Sequence, residues 1–162
     1  MRPFRFIAAV LLLSFSLAGC AARVKNVTNL PAGVTLQQAQ DWDVAVQSLN
    51  EVAAVTTTAR QSVIALNKGG LFKDGPAYVT ALQVIGKIDE LQLSASNVLK
   101  QSPNNFSLTA KQQVQAYVTQ IGQQLVLLNQ TGVTNVKNPN SQTQISDLIS
   151  QITALTGLIL QL

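Results

Sequence analysis

From Thr35 to Leu162, apolar residues recur at alternating three- and four-residue steps, a spacing that gathers them on one face of an α-helix but scatters them over both faces of a strand. Four stripes of this kind follow one another. Trp42, Val46, Leu49, Val52, Thr56, Ala59, Val63 and Leu66 make the first, and Tyr78, Leu82, Ile85, Ile88, Leu91, Ala95 and Val98 the second. Val114, Val118, Ile121, Leu125 and Leu128 make the third, and Ile145, Leu148, Ile152, Leu155, Ile159 and Leu162 the fourth. No run of strict alternation competes with them, although Thr56-Thr57-Thr58 lowers helix propensity locally.

The stripes are punctuated by residues that stop or start helices. Lys68-Gly69-Gly70 supplies a basic last turn and a glycine stop, Asp74-Gly75-Pro76 an opening with proline in the first turn, and Pro103, Gly132 and Asn138-Pro139-Asn140 further breaks. Thr35 with Gln38 and Ser141 with Gln144 have capping-box spacing; the third helix opens near Ser107 or at Thr109, which is similarly spaced from Gln112. The expected helices are therefore 36–67, 76–101, 109–130 and 141–162. With short to moderate loops between them, they predict an all-α domain over 36–162, an antiparallel up-down-up-down four-helix bundle with crossings of about +20°. Spacing near 3.5 favours a left-handed supercoil. Three helices with a detached fourth, or an intermolecular coiled coil with self-association, are the alternative arrangements.

The 35 residues before the first expected helix have a different character. Arg2 and Arg5 form a positive start, Phe6 to Leu17 an apolar run, and Ala18-Gly19 a small-residue cleavage site, the layout of a secretory signal peptide over 1–19. The apolar run is shorter than the roughly 20 residues of a spanning helix. Residues 20–35 lack either periodicity and contain Pro31 and Gly33, so they read as a tether that reaches about 50 Å when extended at roughly 3.3–3.6 Å per residue.

Leu17-Ala18-Gly19-Cys20 resembles the lipobox that ends the leaders of bacterial lipoprotein precursors, matching at all four positions. That resemblance covers only the first 20 or so residues. It implies that the Cys20 thiol receives a diacylglyceryl group, that cleavage falls before Cys20, and that the new amino group is acylated as well. Two or more acyl chains hold a protein stably where one is marginal, at about 0.8 kcal/mol per buried CH₂. The resemblance places the protein in a bacterial cell envelope, and Ala21, not being Asp, favours the outer membrane if the cell is Gram-negative. An ordinary leader cut after Ala21 or Ala22, with Cys20 discarded, is the competing reading. Cys20 is the only cysteine, so the mature domain has no disulfide and relies on packing.

Composition narrows the chemistry. There is no histidine, which removes the commonest general base and metal ligand, and with Cys20 acylated no thiolate remains; no metal or cofactor is expected. Seven carboxylates are left, and the local settings of Asp41, Asp43, Asp74 and Asp147 are helix starts, where the dipole favours negative charge. Asp89-Glu90 beside Lys87 reads as a solvated face. Gly70-Leu71-Phe72-Lys73-Asp74-Gly75 is no phosphate loop, because Pro76 stands where that loop needs lysine and no strand precedes it. Removing Arg2 and Arg5 from the net charge of +4 leaves +2, and the remaining cations are scattered singly, which argues against nucleic-acid binding.

The expected function is that of a non-enzymatic, lipid-anchored helical module that binds a protein or serves a structural role. A bundle that opens for an apolar ligand or lipid is one alternative, and a phage-encoded lysis or exclusion lipoprotein another. Candidate contact residues are those in excess of one buried stripe: Leu71 and Phe72 in the first interhelical loop, and Leu158, Leu160 and Leu162 at the end of the fourth helix. For Leu71 and Phe72 the opposing expectation is that they fold back over the bundle end, and for Trp42 that it is core rather than an interface anchor.

Overall fold

The computed structural model describes residues 30–162; the leader, Cys20 and the first part of the tether lie outside the described residues. Four α-helices make up the domain: α1 (Leu36–Lys68), α2 (Gly75–Gln101), α3 (Leu108–Thr131) and α4 (Pro139–Leu160), with a single 3-10 turn at Val133–Asn135 between the last two. Each helix packs on its two neighbours in the order α1–α2–α3–α4–α1, the square of an antiparallel up-down-up-down bundle.

Local chemistry sets the helix ends. Thr35 and Gln38 form the reciprocal capping box at the start of α1. At its end the Gly70 N–H bonds the Asn67 carbonyl and the Leu71 N–H the Leu66 carbonyl, both at 3.0 Å, while Gly70 takes a φ of 67°. This is a Schellman stop, and the left-handed residue it requires is supplied by glycine. The Asp74 carboxylate accepts from the Ala77 N–H at 2.7 Å to open α2, with Pro76 in the first turn. Of the two expected starts of α3, Ser107 is the one used, capping the helix by accepting from the Ala110 N–H, and one expected start, that of α4, is corrected. Asn138, not Ser141, caps α4, its side-chain oxygen accepting from the N–H groups of Asn140 and Ser141, so that Pro139 opens the helix instead of preceding it. Ser141 itself is buried.

The core forms two contiguous clusters stacked along the bundle. The larger joins Val52, Val63, Ile85, Ile88, Ile121, Leu125, Leu128, Ile145 and Ile152. The smaller, around Leu49, Leu99, Phe106, Val114, Val118 and Ile159, fills the end where α1 begins. The third stripe is buried throughout. In the second, Ile85, Ile88, Leu91 and Ala95 are buried as expected, and at its start Ala77, Ala81 and Val84 are buried as well while Tyr78 and Leu82 pack half-buried against the same core. Alanines allow α2 to seat closely there, and the larger side chains still cover its edges.

Few polar groups enter this core, and among the described residues no fully buried side-chain nitrogen or oxygen lacks a hydrogen-bond partner. Thr56 returns its hydroxyl to the Val52 carbonyl at 2.7 Å, and Gln92 donates across to the Leu49 carbonyl at 3.1 Å, tying α2 to α1. Arg60 pairs with Asp89 over the same interface. Burial pushes the Asp89 carboxyl above the usual carboxylate range, outweighing the opposing pull of the Arg60 guanidinium.

Candidate functional site

The two ends of the bundle have opposite characters. At one end the α1–α2 loop and the α3–α4 loop are clasped together. Phe72 and Val136 pair as an antiparallel bridge, the Lys73 N–H bonds the Asn135 carbonyl at 2.9 Å, and the Lys137 N–H bonds the Leu71 carbonyl at 2.7 Å. The lysine side chains reinforce the clasp, Lys73 Nζ reaching the Thr134 carbonyl at 2.7 Å and Lys137 Nζ the Gly70 carbonyl at 3.1 Å. Beneath it Phe72 lies edge-on to Tyr78, ring centroids 5.7 Å apart. Gly132 lets the second loop leave α3 tightly, since a Cβ there would stand 2.7 Å from the Leu128 carbonyl oxygen in the last turn of that helix.

This geometry removes Phe72 from the surface. It is 5% exposed and belongs to the large core cluster, while Leu71 is half-buried against the same cluster. The physical reason is the bridge to Val136, a pairing between residues 64 apart that buries the ring between two loops. What the clasp leaves outside is polar: Lys68, Lys73, Asp74, Thr134, Lys137 and Asn138 are all exposed.

The opposite end receives the chain from the N-terminal side and gathers the starts of α1 and α3 with the ends of α2 and α4. Trp42 donates its indole N–H to the Leu99 carbonyl at 3.0 Å, closing α1 on the last turns of α2. The Phe106 N–H reaches the Gln38 carbonyl, and Gln115 Nε2 the Leu160 carbonyl at 3.3 Å, so all four helices are joined here. Trp42 is half-buried beside the smaller core cluster. With Val46, Asn50, Ser96, Leu99 and Lys100 it lines a cleft of about 100 Å³, well below the roughly 300–1,000 Å³ of small-molecule sites.

Of the C-terminal candidates, Leu158 and Leu160 are exposed at 41% and 46%, on either side of the fully buried Ile159, and Leu162 is half-buried against the smaller cluster. Sequence reasoning did not pick out their companions at this end. Leu36, the first residue of α1, is 48% exposed, and Leu108, the first residue of α3, is 70% exposed. Both precede the periodic positions of their helices, so a stripe search passes over them. Lys100 and Lys111 are the charged side chains of the last turn of α2 and the first turn of α3, and no acidic residue occupies the first turn of α1 or α3.

Among the described residues, no group of three or more acidic side chains is placed to hold a metal ion, and no helix is long and apolar enough to cross a membrane. Compared with family models, curated proteins and solved structures, the chain has no match.

Proposed function

We propose that the protein is a bacterial envelope lipoprotein, held to a membrane by acyl chains on Cys20, whose helical domain works by contact with a protein partner or as a structural element and not by catalysis. The observation that carries this reading is Leu17-Ala18-Gly19-Cys20 at the end of a charged and then apolar leader. The arrangement behind it is compatible: a short segment leads from Cys20 to one end of a rigid bundle, whose far end is polar and clasped. The small cleft beside Trp42 gives no support to a ligand-holding role.

Replacing the cysteine tests the anchor. Cys20→Ser should abolish incorporation of labelled fatty acid and leave an unprocessed precursor or a soluble form, because a hydroxyl does not accept the lipid that the thiol does. Equal labelling of both proteins would refute the anchor. Crosslinking in the native cell followed by co-purification then identifies what the domain touches.

A further inference from the structure

Eight large apolar side chains are exposed on the bundle, and four of them, Leu36, Leu108, Leu158 and Leu160, sit in the terminal turns of the anchor-side end. Of the others, Leu93 lies along the middle of its helix, and Val79, Val126 and Leu127 lie on the flanks about one turn in from the clasped end. The clasped end buries its aromatic ring and displays lysine, asparagine and aspartate instead. Isolated exposed leucines are ordinary; their concentration on one tip, with a polar tip opposite, is not explained by core packing.

Three observations say what covers that tip. The chain enters α1 here through a tight turn: the Val34 N–H bonds the Pro31 carbonyl at 3.1 Å, with Gly33 at a φ of 81°. The charged side chains of the adjoining turns are Lys100 and Lys111, and Arg23 and Lys25 follow the anchor in sequence, all of the sign that anionic headgroups attract. The nearest acids, Asp41 and Asp43, lie in the second turn of α1, Asp41 accepting from Gln37. Finally, acyl chains on Cys20 would keep the tip within the roughly 50 Å that the 15 residues before α1 can span, so even a weak surface contact would be well populated.

We infer that the anchor-side tip rests on the lipid surface itself, with Leu36, Leu108, Leu158 and Leu160 in the interfacial layer and Lys100 and Lys111 over anionic headgroups. This rests on acylation of Cys20 and adds a second membrane contact to it. The bundle then stands on the membrane with its clasped end outward, instead of drifting at the end of its tether. Leucines and lysines on one surface are the combination that interfacial binding uses, apolar area plus attraction to anionic lipid.

The sole tryptophan provides the probe, because Trp42 lies about 9 Å along α1 from Leu36. The full mature chain, purified from membranes, is reconstituted into vesicles of phosphatidylethanolamine and phosphatidylglycerol that contain a headgroup-nitroxide lipid. Trp42 emission should be quenched. Leu108→Glu with Leu160→Glu should weaken the docked state about tenfold or more and relieve the quenching, whereas Leu127→Glu, at a flank leucine about as exposed as Leu160, should leave it unchanged. Circular dichroism of each variant verifies that the bundle is intact. The two readings fail separately: an intact mass without acyl chains on Cys20 refutes the anchor and the docking together, while acylated protein with unquenched Trp42 refutes the docking alone. Quenching unaffected by the double substitution also refutes it, and dimerisation lost in the double variant, without quenching in the parent, would assign the tip to a second copy of the chain.

Discussion

Truncating Phe72 to alanine should destabilise the whole bundle and not merely loosen a loop. The ring is 5% exposed, meets Tyr78 edge-on at 5.7 Å and is fixed from behind by the bridge to Val136. Removing a buried phenylalanine costs about 3–5 kcal/mol, and because two loops can partly collapse into the space we expect the lower end, near 3 kcal/mol. That is a large fraction of the roughly 5–15 kcal/mol that stabilises a domain. In urea denaturation followed by far-ultraviolet circular dichroism, a slope of about 2 kcal/mol per molar converts this loss to a midpoint lowered by about 1.5 M at unchanged slope. Val136→Ala should be coupled to it, the double variant losing about 0.5 kcal/mol or more less than the sum of the singles. A midpoint shift below about 0.3 M would mean that Phe72 is not buried in solution and that the clasp does not close.

Core assignment on α3 is tested by a neighbouring pair: Leu125→Ala should cost about 2–5 kcal/mol and Gln124→Ala little, by the same denaturation assay, since Leu125 is 3% exposed within the large cluster and Gln124 is half-exposed beside it. Equal losses would mean that α3 is rotated. For Asp89 the folded state holds the proton more readily than the unfolded one, so its contribution to stability rises as pH falls through its raised titration range and declines above it. Arg60→Met removes the opposing charge and should therefore lower stability at pH 7 by about 1 kcal/mol or less, given the partial exposure of both groups. That loss should shrink as pH is lowered toward 4, as read from denaturation midpoints across the range; a loss that grows instead would contradict the assigned balance.

Helix number and pairing were legible in the sequence because the apolar spacing is sustained over many turns and the breaks between stripes are strong. The capping box at Thr35 was legible for the same reason, its donors and acceptors being within one turn. Ser107 and Asn138 were harder to read, since several polar residues near each start compete and the winner depends on where the chain leaves the preceding loop. That Ala77 and Ala81 are more deeply buried than Tyr78 and Leu82 at the start of α2 depends on how closely its neighbours seat there, which a one-helix pattern does not show. The fold-back of Leu71 and Phe72 over the bundle end was expected, but the partner of Phe72 was not, and Phe72, Phe106 and Val136 share a difficulty in that respect. They sit in loops without periodicity, and their burial results from pairing residues far apart in the chain.

The candidate site divides along the same line. Leu158 and Leu160 stood out as apolar residues beyond one stripe, whereas Leu36 and Leu108 gain meaning only when the bundle brings the starts of α1 and α3 beside the end of α4. The lipobox, by contrast, is a contiguous signal complete within four residues.

Attachment through Cys20 is the claim on which the functional account depends, and the N-terminal tryptic peptide of protein extracted from membranes tests it most directly. Trypsin cuts after Arg23, so mass spectrometry should find the peptide Cys20-Ala21-Ala22-Arg23 carrying a diacylglyceryl group on sulfur and an acyl chain on the amino group, or at least the former. A mature chain that begins at Ala22 or Arg23, without lipid, would contradict it.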